Sequence, residues 1–316
     1  MKQHQRQDKL DEPRSTKQTV KAAVGWIVGA AALTFCIAAI VRYWEQFARS
    51  GRELSVGVLA AGVACTLGGM CCHAAGWSVL IRGMSPGVRL SSALEAWAYS
   101  QVVKYVPGKV LVFVTRVEIC GRDGAAPGTV LAGTGLEIIL SLICALALAW
   151  PAAWAASPWA CLMSLPVLLA AVHPKVIMGA MRFYYRLRKG DPDQAPRLSA
   201  GDILRPIVIY FVGWAAYALG GYLIFCSVLG AGPFQNLRGA VGVMGAFPFA
   251  WAAGYIVLLA PGGLGAREAA LALAIAPWVP SVGAAAVVAV LARLCQSGLD
   301  LALGGSWWVG RRFARR

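Results

Sequence analysis

Long apolar segments separated by short polar ones run through most of the chain. Six of these segments are long enough to cross a bilayer as helices, because a crossing takes about 20 apolar residues. They cover residues 22–41, 54–81, 128–150, 152–172, 203–229 and 282–308. Residues 1–21 are polar and are predicted to be a disordered basic tail. The pattern predicts an all-α polytopic membrane protein with about six to eight transmembrane helices, in which residues 22–309 form a single membrane domain.

One further apolar region is interrupted before it can cross the membrane. Residues 93–106 are too short for a crossing and end at Pro107-Gly108. A proline disfavours helical geometry in the residue before it, and Pro-Gly is a strong turn signal. A second short helix is predicted from Lys109 to Cys120. The region is therefore predicted to be a re-entrant hairpin of two half-helices.

A second interruption of the same kind occurs near the other end of the chain. Residues 239–260 and 266–276 are apolar and flank Pro261, Gly262 and Gly263. Broken backbone at membrane depth must be buried in protein or line a polar cavity. A second re-entrant hairpin is predicted here, although 239–260 is long enough to cross the bilayer fully.

The distribution of charge predicts the orientation of these elements. Charged residues make up 14% of the chain and the formal net charge is +15. The Lys and Arg residues stand in tails and loops beside apolar segments, which fits the positive-inside rule better than nucleic-acid binding. The basic loop 173–202 and both termini are therefore predicted to be cytoplasmic, in the cytoplasmic (inner) membrane. Counting crossings then makes the two hairpins enter from opposite faces. Halves of about 22–172 and 203–309 are predicted to be an inverted repeat with a site at the midplane.

The polar residues of the hairpins predict a site for an anionic lipid head group. Ionisable residues within a membrane segment are expensive and indicate function. Half-helix N-termini favour anions, glycines let backbone approach a ligand, and a guanidinium can hold two phosphate oxygens. The candidate binding residues are Lys104, Pro107, Gly108, Lys109, Arg116, Glu137, Pro261, Gly262, Gly263, Gly265, Arg267 and Glu268. No catalytic residue, metal site or cofactor is predicted.

A structural interpretation of the same charges stays open. In it, Arg267 and Glu268 pair with Glu137, Asp300 or Arg293 only to hold helices together. The alternative, a ligand site, requires at least one of these cations to face a shared cavity.

Two segments resemble the signatures of the lysylphosphatidylglycerol synthase transmembrane family, whose members are also called flippase-like membrane proteins. The first is Ser100–Lys109 together with Arg116, and the second is Ala260–Ala269, which contains PGGLGARE. The resemblance covers roughly residues 22–309 and implies a lipid-translocating domain. In bifunctional relatives this domain moves aminoacylated phosphatidylglycerol to the outer leaflet and is followed by a soluble aminoacyl-transferase domain. This chain ends at Arg316 without such a domain, so it is not expected to make lysylphosphatidylglycerol.

Three functions are compatible with the sequence. The first is a lipid translocase whose partner is an anionic phospholipid or a polyprenyl-phosphate-linked lipid. No nucleotide-binding loop of the GxxxxGKT type is present, so an ion gradient or lipid consumption is expected to drive it. The second is a membrane enzyme for glycosyl or phosphoryl transfer to a lipid phosphate, with Glu137, Glu268 and Glu118 as its available carboxylates. The third is a structural partner in an envelope-synthesis complex.

Overall fold

The computed structural model describes residues 54–105, 110–156, 175–176, 179, 198–230, 237–256, 263 and 265–314. The predicted tail 1–21, the predicted span 22–41, most of the predicted span 152–172 and most of the basic loop lie outside the described residues. The two Pro-Gly turns lie outside them as well, apart from Gly263.

The described parts of the chain are helical and contain no strand. Their eight α-helices are α1 (Val56–Met84), α2 (Leu90–Val103), α3 (Val110–Gly121), α4 (Pro127–Ala156), α5 (Ala200–Leu229), α6 (Leu237–Ile256), α7 (Ala266–Ile275) and α8 (Val282–Ala314). Four of them, α1, α4, α5 and α8, contain segments long and apolar enough to cross a membrane. The prediction of a helical, multi-pass membrane protein agrees with this arrangement.

The predicted boundary between the spans 128–150 and 152–172 is wrong. The sequence places a turn at Trp150-Pro151, but α4 continues through Pro151 to Ala156. A proline removes one backbone hydrogen bond from a helix. In apolar surroundings the helix still satisfies all the other backbone groups, whereas a turn would expose several. The helix therefore continues through the proline.

Helices α1 and α5 are antiparallel and in close backbone contact. A Cβ atom on Gly62 would lie 2.9 Å from the Gly220 carbonyl oxygen, and one on Gly69 would lie 2.7 Å from that of Gly213. Distances this short leave no room for a side chain, so glycine is required where the two helices cross. This contact joins the N-terminal part of the described chain to the C-terminal part.

The described helices fall into two sets with the same order. Each set has a long helix, two shorter helices and a second long helix: α1 to α4, and α5 to α8. The packing also corresponds, because α2 of the first set packs on α8 of the second, and α6 of the second packs on α4 of the first. Each pair of shorter helices is therefore enclosed by helices of both sets.

Both pairs of shorter helices are closed where they begin and end. In the α2–α3 pair, the Arg89 guanidinium before α2 lies 2.8 Å from the Asp123 carboxylate after α3. In the α6–α7 pair, the Trp278 ring packs against Gly242, where a Cβ atom would come within 2.3 Å of the ring. Helices α2 and α3 have 14 and 12 residues, which at about 1.5 Å per residue is shorter than a hydrocarbon core of about 30 Å. Helix α6 has 20 residues and is long enough to cross.

Candidate functional site

A cavity of about 150 Å³ lies where the two pairs of shorter helices meet. Helices α2, α3, α4, α6, α7 and α8 all contribute to its wall, so both sets form it. Its polar lining residues are Ser100, Gln101, Lys104, Arg116, Thr134, Glu137, Ser141, Arg267 and Arg293. The apolar and aromatic part includes Val112, Phe113, Ile138, Trp251 and Tyr255. Among the described lining residues, basic side chains thus outnumber carboxylates.

The pair Arg116 and Glu137 forms one side of the cavity and is held by several contacts. Arg116 donates hydrogen bonds from Nη1 to Glu137 Oε2 and from Nη2 to Ser100 Oγ, the latter at 3.0 Å. Trp97 Nε1 donates to Glu137 Oε1 at 3.2 Å. The Arg116 guanidinium also lies 4.2 Å from the centre of a Trp77 ring, a favourable cation–π distance. This charge pair is compensated and fixed in place.

Lys104, at the end of α2, reaches across to α8. Its Nζ lies 2.9 Å from Asp300 Oδ2 and donates to Gln101 Oε1 at 2.8 Å. Tyr105 donates to the same Asp300 oxygen at 2.7 Å and its hydroxyl lies 3.0 Å from Ser297 Oγ. The Lys104 side chain is 24% exposed, whereas that of Asp300 is fully buried. The lysine therefore faces the cavity and the aspartate lies behind it.

The start of α7 places a third group of charges beside the cavity. Gly265 precedes the helix with φ of 83°, a left-handed conformation that favours glycine. Its N–H donates to Glu268 Oε2. The other carboxylate oxygen, Oε1, lies 3.3 Å from Arg293 Nε, but the two groups are not aligned as a hydrogen bond. The Glu268–Arg293 pair is therefore looser than the Arg116–Glu137 pair.

Arg267 differs from the other basic residues of the cavity. Its Nη2 donates to the Tyr217 hydroxyl, and Tyr217 in turn donates to Gln296 Oε1 at 3.1 Å. No carboxylate among the described residues lies within ion-pair distance of it. Arg267 is nevertheless buried, since only 8% of its surface is exposed. A buried guanidinium that has only a neutral partner retains most of its capacity to bind an anion.

Glycines allow the backbone to come close to Arg267. A Cβ atom on Gly254 of α6 would lie 2.8 Å from Arg267 Cβ, and one on Gly263 would lie 2.8 Å from the Gly254 carbonyl oxygen. Gly263 also has φ of 72°. A side chain at Gly254 would displace Arg267, and one at Gly263 would displace Gly263 from the backbone of α6. The two glycines therefore allow the close packing that holds Arg267 at the cavity.

The structure brings part of the predicted site together. Of the predicted residues, Lys104, Arg116, Glu137, Gly263 and Arg267 line the cavity. Gly265 and Glu268 lie at the start of α7, with Glu268 behind Arg267 against Arg293. Pro107, Gly108, Lys109, Pro261 and Gly262 lie outside the described residues. The structural interpretation, in which these charges only hold helices together, agrees with the structure in part, because Glu268 pairs with Arg293. Glu137 and Asp300 pair instead with Arg116 and Lys104, which that interpretation did not name.

Arg293, Asp300 and Tyr217 take part in the charge and hydrogen-bond network of the site but were not among the candidates. Arg293 and Asp300 stand on one face of α8, in an otherwise apolar span, and ionisable residues there are a signal of function. That signal could have placed them on the list. Tyr217 had no such signal, because one tyrosine among the aromatic residues of α5 reads as a packing residue.

Fold and site together define a class: a helical multi-pass membrane protein with a charged cavity between two sets of helices. A family model, described as the lysylphosphatidylglycerol synthase TM region, matches residues 23–304. The chain therefore belongs to this family, as its two signature segments predicted, and it is a membrane protein related to lipid handling. No curated protein matches the sequence.

Proposed function

We propose that the protein is a lipid translocase that binds an anionic head group in the central cavity. The observation that carries this proposal is the excess of basic side chains on a cavity shared by both sets of helices, with Arg267 facing it without a carboxylate partner among the described residues. A phosphate is the complementary ligand, because a guanidinium and an ammonium can bind its oxygens together. A phospholipid or a polyprenyl-linked lipid would supply it.

The apolar wall of the cavity supports a lipid rather than a soluble anion. Val112 and Phe113 of α3 line the cavity, while their neighbours Val110 and Val114 are 64% and 51% exposed on the same helix. An apolar helix that lies between the cavity and the bilayer allows acyl chains to stay in lipid while the head group enters.

The corresponding order and packing of the two helix sets support the inverted repeat as the basis of transport. In this proposal the α2–α3 pair and the α6–α7 pair enter the membrane from opposite faces, and the halves move relative to each other around the site. The basic loop 173–202 and both termini are on the cytoplasmic side of the cell membrane. Cysteine-accessibility labelling would contradict this arrangement if it found both Pro-Gly turns fully on one side.

Transport by the purified protein in vesicles tests the function. Fluorescent phosphatidylglycerol is placed in one leaflet of the vesicles. A membrane-impermeant quencher then reports the rate at which this lipid moves to the other leaflet. Loss of a charge-assisted hydrogen bond costs about 1.5–3 kcal/mol, so Arg267→Ala is expected to slow transport about 10-fold or more. Arg82→Ala is the matched control, because Arg82 is exposed in the last turn of α1 and does not line the cavity.

The outcomes separate the three functions that the sequence left open. Equal rates for the wild type, Arg267→Ala and Arg82→Ala would refute the head-group site. No transport by the wild type, with a new lipid product in the vesicles, would favour the enzyme. If neither transport nor a new lipid product is observed, the structural partner is the function that remains.

A further inference from the structure

Asp300 is a carboxylate whose surroundings are not explained by helix packing alone. It is fully buried, in the segment of α8 that is apolar enough to cross a membrane. One of its oxygens, Oδ2, receives Lys104 and Tyr105 at 2.9 and 2.7 Å. The other, Oδ1, is buried and has no hydrogen-bond partner among the described residues. The negative charge is therefore compensated mainly by one cation, and that cation faces the cavity.

The position of Lys104 makes this compensation dependent on the ligand. Lys104 lines the cavity together with Arg116 and Arg267, so an anion bound by Arg267 would compete with Asp300 for the lysine ammonium. If the lysine turns to the anion, the Tyr105 hydroxyl is the one hydrogen-bond donor that Asp300 keeps among the described residues. An isolated carboxylate in an apolar interior is costly, and such a group becomes neutral instead.

We propose that Asp300 binds a proton when an anionic head group enters the cavity, so that the site binds one proton together with each anion. This inference rests on the proposed function. Lys104 keeps its own protons and moves from the Asp300 carboxylate to the phosphate, and the carboxylate takes one proton from the aqueous phase. The net charge of the cavity is then the same before and after the pair binds, which lowers the cost of carrying the head group through the bilayer.

Other titratable and charged groups around Asp300 do not provide the same link. Tyr105 on α2, Arg293 on α8, Arg267 on α7 and Tyr217 on α5 are the neighbours with an electrostatic influence on this cluster. His73 of α1 lies near Lys104 and packs between the Tyr210 and Trp214 rings. None of these groups is a carboxylate that loses its cation when Lys104 moves.

The sign of the pH dependence follows from the stoichiometry. The anion-bound protein holds one proton more than the free protein, so anion binding strengthens as pH falls. By reciprocity the affinity for the anion changes up to about tenfold per pH unit while Asp300 is ionised in the free state. A phosphodiester head group stays singly charged over this range, so the lipid itself contributes no proton.

Calorimetry on the full chain in detergent measures this proton directly. Short-chain phosphatidylglycerol is titrated into the protein at one pH in buffers with different ionisation enthalpies, which gives the number of protons taken up per lipid bound. The wild type is expected to take up about one proton per lipid. Asp300→Asn is expected to bind lipid with no uptake. Asp123→Asn, the same change in the loop after α3, is expected to behave as the wild type.

Each result supports or overturns the inference. Lipid binding by the wild type without proton uptake would overturn it and leave the proposed function standing, whereas no binding at all would remove both. Uptake that persists in Asp300→Asn and disappears in His73→Gln would assign the proton to the histidine and overturn it. Should Asp300→Asn not fold, Lys104→Gln serves, because it removes the cation whose movement away from Asp300 is coupled to the proton, and uptake is again expected to be absent.

Discussion

The two sets of helices place oppositely charged pairs at corresponding positions but bond them differently. In the first set, Arg116 of α3 pairs with Glu137 of α4. In the second, Glu268 of α7 pairs with Arg293 of α8. The first pair has two additional hydrogen bonds, one that Arg116 donates to Ser100 and one that Glu137 accepts from Trp97. The Glu268 oxygen that faces Arg293 has no aligned hydrogen bond among the described residues. The first pair is thus fixed and the second is loose.

This difference assigns separate roles to cations that look alike in sequence. A cation whose partners are satisfied stabilises the helix packing and is a poor ligand for anything new. A cation with a neutral or misaligned partner binds an incoming anion at little cost, because no strong contact is lost. We infer that Arg116 mainly maintains the cavity, and that Arg267 mainly binds the head group.

The largest expected effect comes from breaking the fixed pair. Arg116→Ala leaves Glu137 buried and uncompensated, which typically costs about 3–5 kcal/mol. The melting temperature in detergent is expected to fall clearly, and much further than for Arg267→Ala, which strands no described carboxylate. Similar melting temperatures for the two variants would contradict the assignment of roles.

A smaller effect tests the contact that joins the two sets. Gly69→Ala places a methyl group 2.7 Å from the Gly213 carbonyl oxygen, and overpacking of this kind costs about 1–3 kcal/mol. Gly68→Ala is the matched control, because nothing lies within 4 Å of a Cβ atom at that position. Thermal unfolding of both variants measures the difference. Equal stability would mean that the two sets are not held together along α1 and α5.

Loosening the second pair further sharpens the comparison. Glu268→Gln keeps an oxygen for the Gly265 N–H but removes the charge that faces Arg293. A loss of about 1 kcal/mol in stability is expected, together with tighter binding of phosphatidylglycerol, because a negative charge beside the cavity is removed. Titration calorimetry measures both the affinity and its change. Weaker binding in Glu268→Gln would mean that the carboxylate itself contacts the lipid.

The smallest effect concerns the closure of the α2–α3 pair. A hydrogen bond from Ser92, followed by those from Arg89, lowers the pKa of Asp123 to about 2. Because the folded-state pKa is depressed, the contribution to stability is present above the unfolded pKa of about 3.9 and is lost as pH falls toward 2. The small destabilisation by Asp123→Asn is therefore expected to shrink below about pH 4. A difference in melting temperature that is constant with pH would contradict this.

The helix pattern could be predicted wherever a strong local signal exists. Pro107-Gly108 divides an apolar region, and the predicted half-helices 93–106 and 109–120 correspond to α2 and α3 at Leu90–Val103 and Val110–Gly121. At Pro151 the predicted turn was wrong, because a proline followed by apolar residues does not reveal whether the helix continues. The difference is the glycine after Pro107, which favours a turn.

The pairing of charges could not be predicted from the sequence. Glu137 could have paired with Arg267 or Arg116, and both choices are equally favourable as chemistry. The observed partners are separated by 21 residues for Arg116 and Glu137 and by far more for Lys104 and Asp300. The contact between Lys104 and Asp300 depends on the packing of α2 on α8, and no local sequence pattern encodes that packing. The candidate list therefore found the cavity but missed Asp300.

That same packing of α2 on α8 imposes an order on biogenesis. Tyr105 and its partner Asp300 are 195 residues apart, which a ribosome takes about 10–40 s to translate. During this interval Lys104 is already made and its counter-ion is not. The newly made α2–α3 pair therefore lacks the Asp300 counter-charge for Lys104 until the last helix has been synthesised.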